Sequence, residues 1–390
     1  MIWPLVSLSS FVEIKKGKKH EPCAQPSELA RRFLQIDDLR NDNNIKYTLD
    51  EKGVYATKND VIIAWDGANA GTIGFGKEGL IGSTLAKLTF NTKKINTEYL
   101  GLFLQSKFRE LRENCTGATI PHINKAFLVS LKIPLPPLET QKQIAAVLEK
   151  ADQLRKDCQQ MEKELNNLAQ SVFIDMFGDP VTNPKGWACP KLSSIVREIQ
   201  SGQSPKCDSR PANNGEWGVL KLSSVTGGFF KPSENKAILE GTNPDPNIEV
   251  HAGDLLFTRK NTYELVGACA YVRDSTKRLM LPDLIFRFDM PSDLKIYFWG
   301  LLNNKNFRLQ IKNLASGAAG SMPNISKSRL NDLDVLIPSM DMISKYTSTV
   351  SNIWQQLDIL SELKLSYGNN FDALMQKAFS GELNLANAKT

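Results

Sequence analysis

Side chains that could bind another molecule, most of them basic or amide, collect in a few short segments of the sequence. In the first half they are Lys15, Lys16, Lys18, Lys19, Arg31, Arg32, Asn69, Thr119, Asn124 and Lys125. In the second half they are Lys206, Arg210, Arg259, Lys260, Asn261, Tyr263, Ser321, Asn324 and Lys327. Arginine, lysine and asparagine can make paired hydrogen bonds to base edges, and lysine and serine more often hold phosphates. We therefore take these residues as candidate contacts to DNA, with a solvated surface loop as the alternative for each.

Two other motif matches would indicate an enzyme. Residues 71–77 fit the GxxxxGK pattern of a phosphate-binding loop, but Glu78 replaces the Ser or Thr that binds Mg²⁺, and no helix start follows. Asp283 and the run Asp293-Leu294-Lys295 fit a loose pattern of metal-dependent nucleases. The other half of the sequence does not repeat that pattern. An ATPase or a nuclease is thus an alternative, while we predict no catalytic residue in this chain.

Composition sets limits on the function. The chain has 390 residues, a net charge of +6, three histidines and six scattered cysteines. No CxxC pair is present, so we predict no metal site. Scattered thiols are typical of a reducing compartment, and no apolar run approaches the roughly 18 residues of a membrane span. The composition therefore predicts a cytoplasmic protein without membrane partners.

An internal repeat covers most of the sequence. The stretch LSSFVEIKKG from residue 8 resembles LSSIVREIQSG from residue 192, an offset of 184 positions. Six residues of the range 121–136 recur within 323–338, each at an offset of 202. Phe173 recurs as Phe379, at an offset of 206. The matches keep their order while the offset grows, and the period is too long for a solenoid. The sequence therefore predicts a duplicated domain.

Both copies follow the same plan. Short β-like runs with turn signals between them come first, for example VIIAW in copy one and DLLFT in copy two. A shorter helical stretch follows, then a strand-like run that ends in proline, LKIPLPP or LDVLIPS, and then a long helix. This order predicts an α+β fold for each copy.

The two long helices carry heptad patterns. The first is predicted for residues 139–177, with a capping box formed by Thr140 and Gln143. The second is predicted for residues 339–382, and a lysine and a glycine in its pattern lead us to expect a bend or a looser contact at 364–370. The residues predicted to pack between the helices are Ile144, Val147, Leu154, Met161, Leu165, Leu168, Ile353, Leu357, Leu360 and Phe371.

Connectivity predicts how the helices pair. The first helix ends where the second globe begins, and the second helix starts from that globe, so it must run back as an antiparallel partner. The prediction is two similar α+β globes joined by a coiled-coil rod, with a pseudo-two-fold axis. The predicted boundaries are 1–138 for globe one, 139–177 for helix one, 178–338 for globe two, 339–382 for helix two and 383–390 for the tail.

The sequence resembles the specificity subunits of type I restriction–modification systems. The resemblance covers almost the whole length and is most specific in IPLPPLETQKQIAAVLEKADQL and LMQKAFSGEL. It implies that each globe is a target recognition domain that reads one half of a split DNA sequence. It also implies that the helices set the gap between the halves and bind two DNA methyltransferase subunits.

The same resemblance implies a restriction and translocation subunit as a further partner, and a non-catalytic role for this chain. S-adenosylmethionine, ATP and Mg²⁺ are then expected on the partner subunits and not on this chain. The alternative outside the enzyme class is a coiled-coil scaffold with no role in binding DNA.

Overall fold

The structure is a computed structural model that describes residues 3–23, 27–117, 119–274, 278–316 and 322–385. It divides into two compact units. Unit 1 comprises Met1–Gln160 and Glu362–Thr390, and unit 2 comprises Met161–Ser361. The boundaries fall inside the two long helices, so each unit contains part of both.

The described residues of unit 1 form ten strands and three short α-helices, together with the beginning of the first long helix and the end of the second. The strands are β1 (Leu5–Ser7), β2 (Glu13–Lys16), β3 (Arg31–Leu34), β4 (Lys46–Thr48), β5 (Tyr55–Ala56), β6 (Val61–Ala64), β7 (Ile73–Phe75), β8 (Gly79–Ile81), β9 (Leu85–Thr89) and β10 (Lys132–Pro134). The helices are α1 (Thr97–Ser106), α2 (Phe108–Glu113), α3 (Lys125–Ser130) and α4 (Leu138–Phe177).

The described residues of unit 2 repeat most of this order, without strands that correspond to β1, β5 and β10. Its strands are β11 (Glu198–Ser201), β12 (Gly218–Leu220), β13 (Asn235–Ala237), β14 (Leu255–Thr258), β15 (Cys269–Tyr271), β16 (Leu279–Met280) and β17 (Ile285–Asp289). Its helices are α5 (Ser292–Asn303), α6 (Lys305–Asn313), α7 (Lys327–Asn331) and α8 (Met340–Ser380), and α8 ends in unit 1.

The two units share the topology of their main sheets, although unit 1 also has a two-stranded sheet, β1-β10, and an extra strand, β5, beside β8, where the described part of unit 2 has only isolated bridges. An antiparallel sheet has the order β2-β9-β6-β7 in unit 1 and β11-β17-β14-β15 in unit 2. A mixed sheet has β3 antiparallel to β4 and parallel to β8, and β12 pairs in the same way with β13 and β16. The predicted duplication and the α+β class are therefore confirmed.

The central strand of each antiparallel sheet is buried on both faces. In β6, Val61 and Ile63 pack against the helices, whereas Ile62 packs against the mixed sheet. In β14, Leu255 packs on the helix side and Leu256 on the mixed-sheet side. Successive side chains of a strand point to opposite faces, so a strand between two layers must be apolar throughout. This is the physical reason for the runs VIIA and LLFT.

Each unit contains the end of the long helix that begins in the other copy. In unit 1, the ring of Phe379 near the end of α8 lies 5.3 Å from the rings of Tyr99 and Phe103. In unit 2, the ring of Phe173 near the end of α4 lies 5.7 Å from that of Tyr297. Each unit therefore combines the first part of one long helix with the last part of the other, as antiparallel pairing requires.

The predicted capping box is wrong. Helix α4 begins at Leu138, so Thr140 lies inside the helix. The backbone N–H of Gln141 donates to the carbonyl of Pro137, which closes the first turn. The fully buried side chain of Gln141 accepts a hydrogen bond from the Asn96 N–H and donates to the carbonyls of Lys94 and Pro136. Gln141, to which local sequence rules assign no role, thus stabilises the start of the helix.

The apolar stripe is covered only in part. Ile144, Ile353, Leu360 and Phe371 are buried, and Val147, Leu165 and Leu357 are half-buried. Leu154, Met161 and Leu168 are 36%, 52% and 46% exposed. Helix α8 continues without interruption through Gly368, and every side chain in 361–370 is exposed or half-buried. The contact there is loose, as expected, but the helical hydrogen bonding does not break.

Among the helices in the described ranges, none is long and apolar enough to cross a membrane.

Candidate nucleic-acid interface

The two units share a backbone scaffold at one end of the antiparallel sheet. We call residues 65–67 and 259–261 the post-strand segments, because they follow β6 and β14. In unit 1, the Trp65 N–H donates to the carbonyl of Thr84 at 2.7 Å, and the Trp65 carbonyl accepts from Ile123 at 2.9 Å. The Gly67 N–H donates to the carbonyl of Pro121 at 2.9 Å. The segment is therefore held by main-chain groups.

Unit 2 repeats these hydrogen bonds at the equivalent positions. The Arg259 N–H donates to the carbonyl of Leu284 at 3.0 Å, and the Arg259 carbonyl accepts from Ile325 at 2.8 Å. The Asn261 N–H donates to the carbonyl of Pro323 at 3.3 Å. One backbone arrangement thus presents different side chains in the two units.

A loop lies beside each post-strand segment. In unit 1, Thr116 and His122 exchange two backbone hydrogen bonds, of 2.9 and 2.7 Å. In unit 2, Ser316 and Asn324 do the same, both at 2.9 Å. These matched loops bring His122 and Asn324, which are 202 positions apart in the sequence, to equivalent places. Each then contacts the post-strand segment of its own unit through its side chain.

In unit 2 the loop and the segment meet in a cationic cluster. Arg259 Nε donates to Asn324 Oδ1 at 3.1 Å. The Arg259 guanidinium lies 5.1 Å from the centroid of the Phe286 ring, and Lys327 Nζ lies 5.8 Å from the same centroid. Lys260, the next residue in the chain, is half-buried, and its backbone forms an isolated bridge with that of Asn324. Four of these residues were predicted from the sequence, and the structure brings them together.

Two more predicted residues of unit 2 follow this cluster along the chain. Asn261 is buried, and its Oδ1 accepts a hydrogen bond from the Thr262 N–H at 2.8 Å, whereas its Nδ2 has no partner among the described residues. Tyr263 is 52% exposed, and Lys312 Nζ lies 5.5 Å from its ring centroid. Tyr263 therefore presents an aromatic face with a cation beside it.

In unit 1 the equivalent place carries an ion-paired carboxylate. Asp66 accepts from Lys16 Nζ at 2.6 Å and contacts His122 Nδ1 at 2.6 Å. Burial alone would raise the pKa of Asp66, but the hydrogen bonds from Lys16 and His122 outweigh it and hold the pKa below its usual range. Nearby, Asn69 Oδ1 accepts a hydrogen bond from Arg40 Nη2 at 2.6 Å. The site in unit 1 is polar and close to charge balance.

Several predicted cations are already paired with carboxylates. Arg32 bonds to Asp38 and Asp42. Arg210 bonds to Glu216, and this contact together with the Asn213 N–H lowers the pKa of Glu216 to about 2. A cation held in such a pair must give up its partner before it can contact phosphate, so the structure does not single out these two arginines as free donors.

The remaining predicted residues are at the surface. Lys15 pairs with Glu13 at 3.0 Å and Lys19 with Glu21 at 3.5 Å, and these side chains are largely exposed. The exposed residues also include Lys18, Arg31, Thr119, Lys125 and Lys206. Asn124 caps α3 by accepting from the Phe127 N–H. Ser321 lies outside the described residues.

Sequence reasoning missed Phe286, Arg40 and His122. The repeat offset pairs His122 with Asn324 and was the available signal for the histidine. No local sequence pattern indicated Phe286 or Arg40, because each contacts a residue that is distant in sequence. Fold topology alone brings these pairs together.

The enzyme-like motifs do not form enzyme sites. Residues 73–75 of the GxxxxGK match form β7, and Lys77 of that match bonds to Asp42 at 2.8 Å. Lys295 donates to the carbonyl of Gly253 at 2.8 Å, whereas Asp283 bonds to Ser204. Within the described residues, no three His, Cys, Asp or Glu side chains gather where they could hold a metal ion.

Comparison with known proteins supports one family. A family model described as the type I restriction modification DNA specificity domain matches residues 3–168. The MjaVIII specificity subunit of Methanocaldococcus jannaschii is 25% identical over 99% of this chain and 94% of its own length. The EcoEI specificity subunit of Escherichia coli is 30% identical over 54% of this chain and 34% of its own length.

Solved structures agree on the fold. The type I restriction–modification S subunit from M. genitalium is 16% identical and superimposes with a TM-score of 0.61 over 97% of this chain and 96% of its own. A chain from a study of complex assembly and conformational transition in a type I system is 18% identical, with a TM-score of 0.54 over 98% of each chain. With the duplicated topology and the paired helices, these findings make the chain similar, in sequence and in fold, to the specificity subunits of type I restriction–modification systems.

Proposed function

We propose that this chain is the non-catalytic subunit that reads the DNA sequence for a type I restriction–modification complex. Unit 1 reads one half of a split target and unit 2 reads the other. One observation carries the proposal: a single duplicated backbone scaffold presents Asp66 and His122 in unit 1 but Arg259, Lys260 and Asn324 in unit 2. A protein that reads two different half-sites needs this combination of constant backbone and variable side chains.

The DNA contacts are proposed at the post-strand segments and the loops beside them. In unit 2 we assign them to Arg259, Lys260, Tyr263, Asn324 and Lys327, with Lys206 on the same unit's exposed surface. In unit 1 we assign them to the exposed residues Lys15, Lys18, Lys19, Thr119 and Lys125, with Asn69 as a polar group near the post-strand segment. Phosphate contacts supply salt-sensitive affinity, and base contacts supply specificity.

The long helices are proposed to set the spacer and to bind partners. Each has about 40 residues, 40 in α4 and 41 in α8, which corresponds to roughly 60 Å of helix. DNA presents the same face about every 10–10.5 base pairs, so half-sites must be separated by a defined length. We propose two methyltransferase subunits and a restriction subunit as partners, with S-adenosylmethionine, ATP and Mg²⁺ bound there.

We also propose a cytoplasmic location. Cys115, Cys189, Cys207 and the buried Cys158 and Cys269 form no disulfide within the described residues. A chain of this kind acts on DNA, and unpaired thiols persist in a reducing compartment.

Methylation mapping tests the main proposal. The chain would be produced with its methyltransferase partners, and modified bases would be located in the host DNA by single-molecule sequencing. We expect the mark inside a motif of two short, different sequences separated by a fixed number of unspecified bases. A contiguous motif, or no motif dependent on this chain, would contradict the proposal. Turnover of ATP or plasmid by the purified chain alone would favour the nuclease or ATPase alternative.

A heptad insertion tests the role of the helices. Seven residues would be added to α4 near Met161 and seven to α8 near Leu363, both exposed positions. Seven residues add about 10 Å of helix, so the spacer should lengthen by about 3 base pairs while both half-sites stay the same. The matched control inserts seven residues at Gly241, in an exposed loop of unit 2, and should leave the spacer unchanged. An unaltered spacer in the helix variant would contradict the proposed role.

A further inference from the structure

The side chain of Arg259 is held in place from three directions. Its backbone N–H and carbonyl are fixed by Leu284 and Ile325. Its Nε donates to Asn324 Oδ1 at 3.1 Å, and its guanidinium lies over the ring of the buried Phe286. A cation over an aromatic face is attracted by the quadrupole of the ring. The hydrogen bond that Nε donates fixes the rotation of the guanidinium plane. Arg259 is therefore ordered before any ligand arrives.

The outer edge of this guanidinium is free to bind. Arg259 is half-buried, and within the described residues neither of its Nη atoms has a hydrogen-bond partner in the protein. Two other arginines of unit 2, Arg210 and Arg287, differ in this respect. The Nη atoms of Arg210 bond to Glu216, and those of Arg287 bond to Gln200 and Asp254. Arg259 is thus a positioned guanidinium whose two terminal donors make no hydrogen bond to any residue that the structure describes.

Two parallel N–H donors on one planar edge match a guanine. In the major groove, guanine presents O6 and N7 as adjacent acceptors, and a bidentate arginine is the commonest specific contact to it. Lys260 and Lys327 lie beside Arg259 and add positive charge that favours approach of the DNA backbone. These observations favour a contact to a base for Arg259 and contacts to phosphates for Lys260 and Lys327.

We propose that Arg259 reads a guanine in the half-site of unit 2, and that Asn324 and Phe286 are positioning residues for its guanidinium. The proposal rests on the function proposed above and specifies it at one residue. In unit 1 the equivalents of Arg259 and Asn324 are Trp65 and His122, so the same contact is not available there. The guanine should consequently belong to one half-site only.

Selection of bound sequences tests the assignment of the base. The complex of this chain with its methyltransferase partners would be incubated with DNA carrying random half-sites, and the bound fraction sequenced. Arg259→Lys keeps the positive charge but loses the planar pair of donors. We expect preference for guanine at one position of one half-site to fall by between about 5-fold and about 100-fold in Arg259→Lys, with affinity for random DNA unchanged.

Two substitutions at Asn324 separate positioning from a general structural role. Asn324→Ala removes the acceptor for Arg259 Nε and should lower the same guanine preference by a smaller factor. Asn324→Asp retains an oxygen acceptor and should restore the preference for guanine, although its negative charge weakens binding to all DNA. His122→Ala, the equivalent change in unit 1, is the matched control and should leave this guanine unaffected.

Three results would overturn the proposal. Retention of the guanine preference in Arg259→Lys would exclude the bidentate contact, and an equal loss of affinity for every sequence would reassign Arg259 to phosphate. In both cases recognition of a split target would still stand. If the wild-type complex selected no sequence at all, the proposed function would fail together with this inference.

Discussion

The post-strand segments of the two units have the same backbone and opposite chemistry. The equivalent pairs are Trp65 and Arg259, Asp66 and Lys260, Gly67 and Asn261, and His122 and Asn324. Unit 1 has an ion-paired carboxylate where unit 2 has a cluster of cations. The hydrogen bonds that both units share at these segments join main-chain groups, so they place no demand on the side chains. The difference shows how a duplicated fold can diverge in specificity without losing its structure.

The helix starts show the reverse situation, in which side chains do hold the structure. Helices α4 and α8 begin 202 positions apart, at Leu138 and Met340. Three positions further on, Gln141 is buried with three hydrogen bonds, whereas Ile343 is buried in an apolar cluster. Both side chains stabilise the buried start of their helix, Gln141 by hydrogen bonding and Ile343 by apolar packing. Substitutions at such places should affect stability and leave specificity unchanged.

The largest effect is expected at the helix ends. Phe173 is 1% exposed in unit 2, whereas its counterpart Phe379 is half-buried in unit 1. Phe173→Ala should lower the free energy of unfolding by about 3–5 kcal/mol, because it leaves a cavity among aromatic rings. Phe379→Ala should cost less, since the site is partly open. Urea denaturation with hydrogen exchange to separate the units would measure both.

Leu168→Ala is the control for these two variants. Leu168 lies on the same helix as Phe173 but is 46% exposed, so its truncation should change the unfolding free energy by at most about 0.5 kcal/mol. Equal losses of unfolding free energy for Phe173→Ala and Phe379→Ala would show that the two helix ends are packed alike, despite the difference in exposure of the two rings.

The next largest effect is expected at the helix starts. Gln141→Leu fills a similar volume but leaves the Asn96 N–H and two carbonyls without their partner. The loss should be about 2–3 kcal/mol, because each buried polar group that loses its hydrogen bond is costly. Ile343→Leu, the matched change in unit 2, should cost less than about 1.5 kcal/mol. Thermal unfolding would measure the loss of stability in both variants. A larger loss for Ile343→Leu than for Gln141→Leu would contradict the proposed difference between the two helix starts.

The smallest effect concerns acid stability. The pKa of Asp66 is below its usual range in the folded protein, so the folded state favours the ionised carboxylate. Its contribution is therefore present above the unfolded value of about 4 and is lost as the pH falls through the folded pKa. Because the pair is near the surface, we expect a difference of less than about 1 kcal/mol.

Asp66→Asn should remove this loss. Hydrogen exchange near Trp65, followed from pH 5 to about pH 2, should show protection falling in the wild type and a flatter profile in the variant. The post-strand segment of unit 2 has Lys260 in place of the aspartate, so its protection serves as the internal reference. A profile that is the same in wild type and variant would show that the ion pair with Lys16 contributes nothing measurable.

Much of the fold was predictable because its signals are local or repeated. Heptad spacing predicted the long helices, and ordered matches at a slowly growing offset predicted the duplication. Connectivity predicted that the second helix returns to the first unit, and the contact of Phe379 with Tyr99 confirms it. The predicted capping box at Thr140 was wrong because local rules for prolines and helix starts take no account of the buried hydrogen bonds that Gln141 makes.

The candidate site was predictable only in outline. The sequence identified Arg259 and Asn324 separately, but their contact depends on a loop 65 residues away. It offered Arg32 and Arg210 as equally good candidates, although both are bonded to carboxylates. The structure shows which of these side chains meet, and the role of each in binding DNA stays a prediction.

The sequence by itself determined the duplication, the α+β class and the extent of the long helices, because periodicity and repetition are properties of neighbouring or matched positions. Only the tertiary structure decided which cations are paired and which apolar positions of the helices are covered. The ion pair of Lys77 joins it to Asp42, 35 positions earlier, and such partners are brought together by topology. Burial of Phe173 and exposure of Leu168 likewise depend on which surface of α4 meets its unit. A linear pattern records how often a side chain recurs, whereas the packed fold determines what it touches.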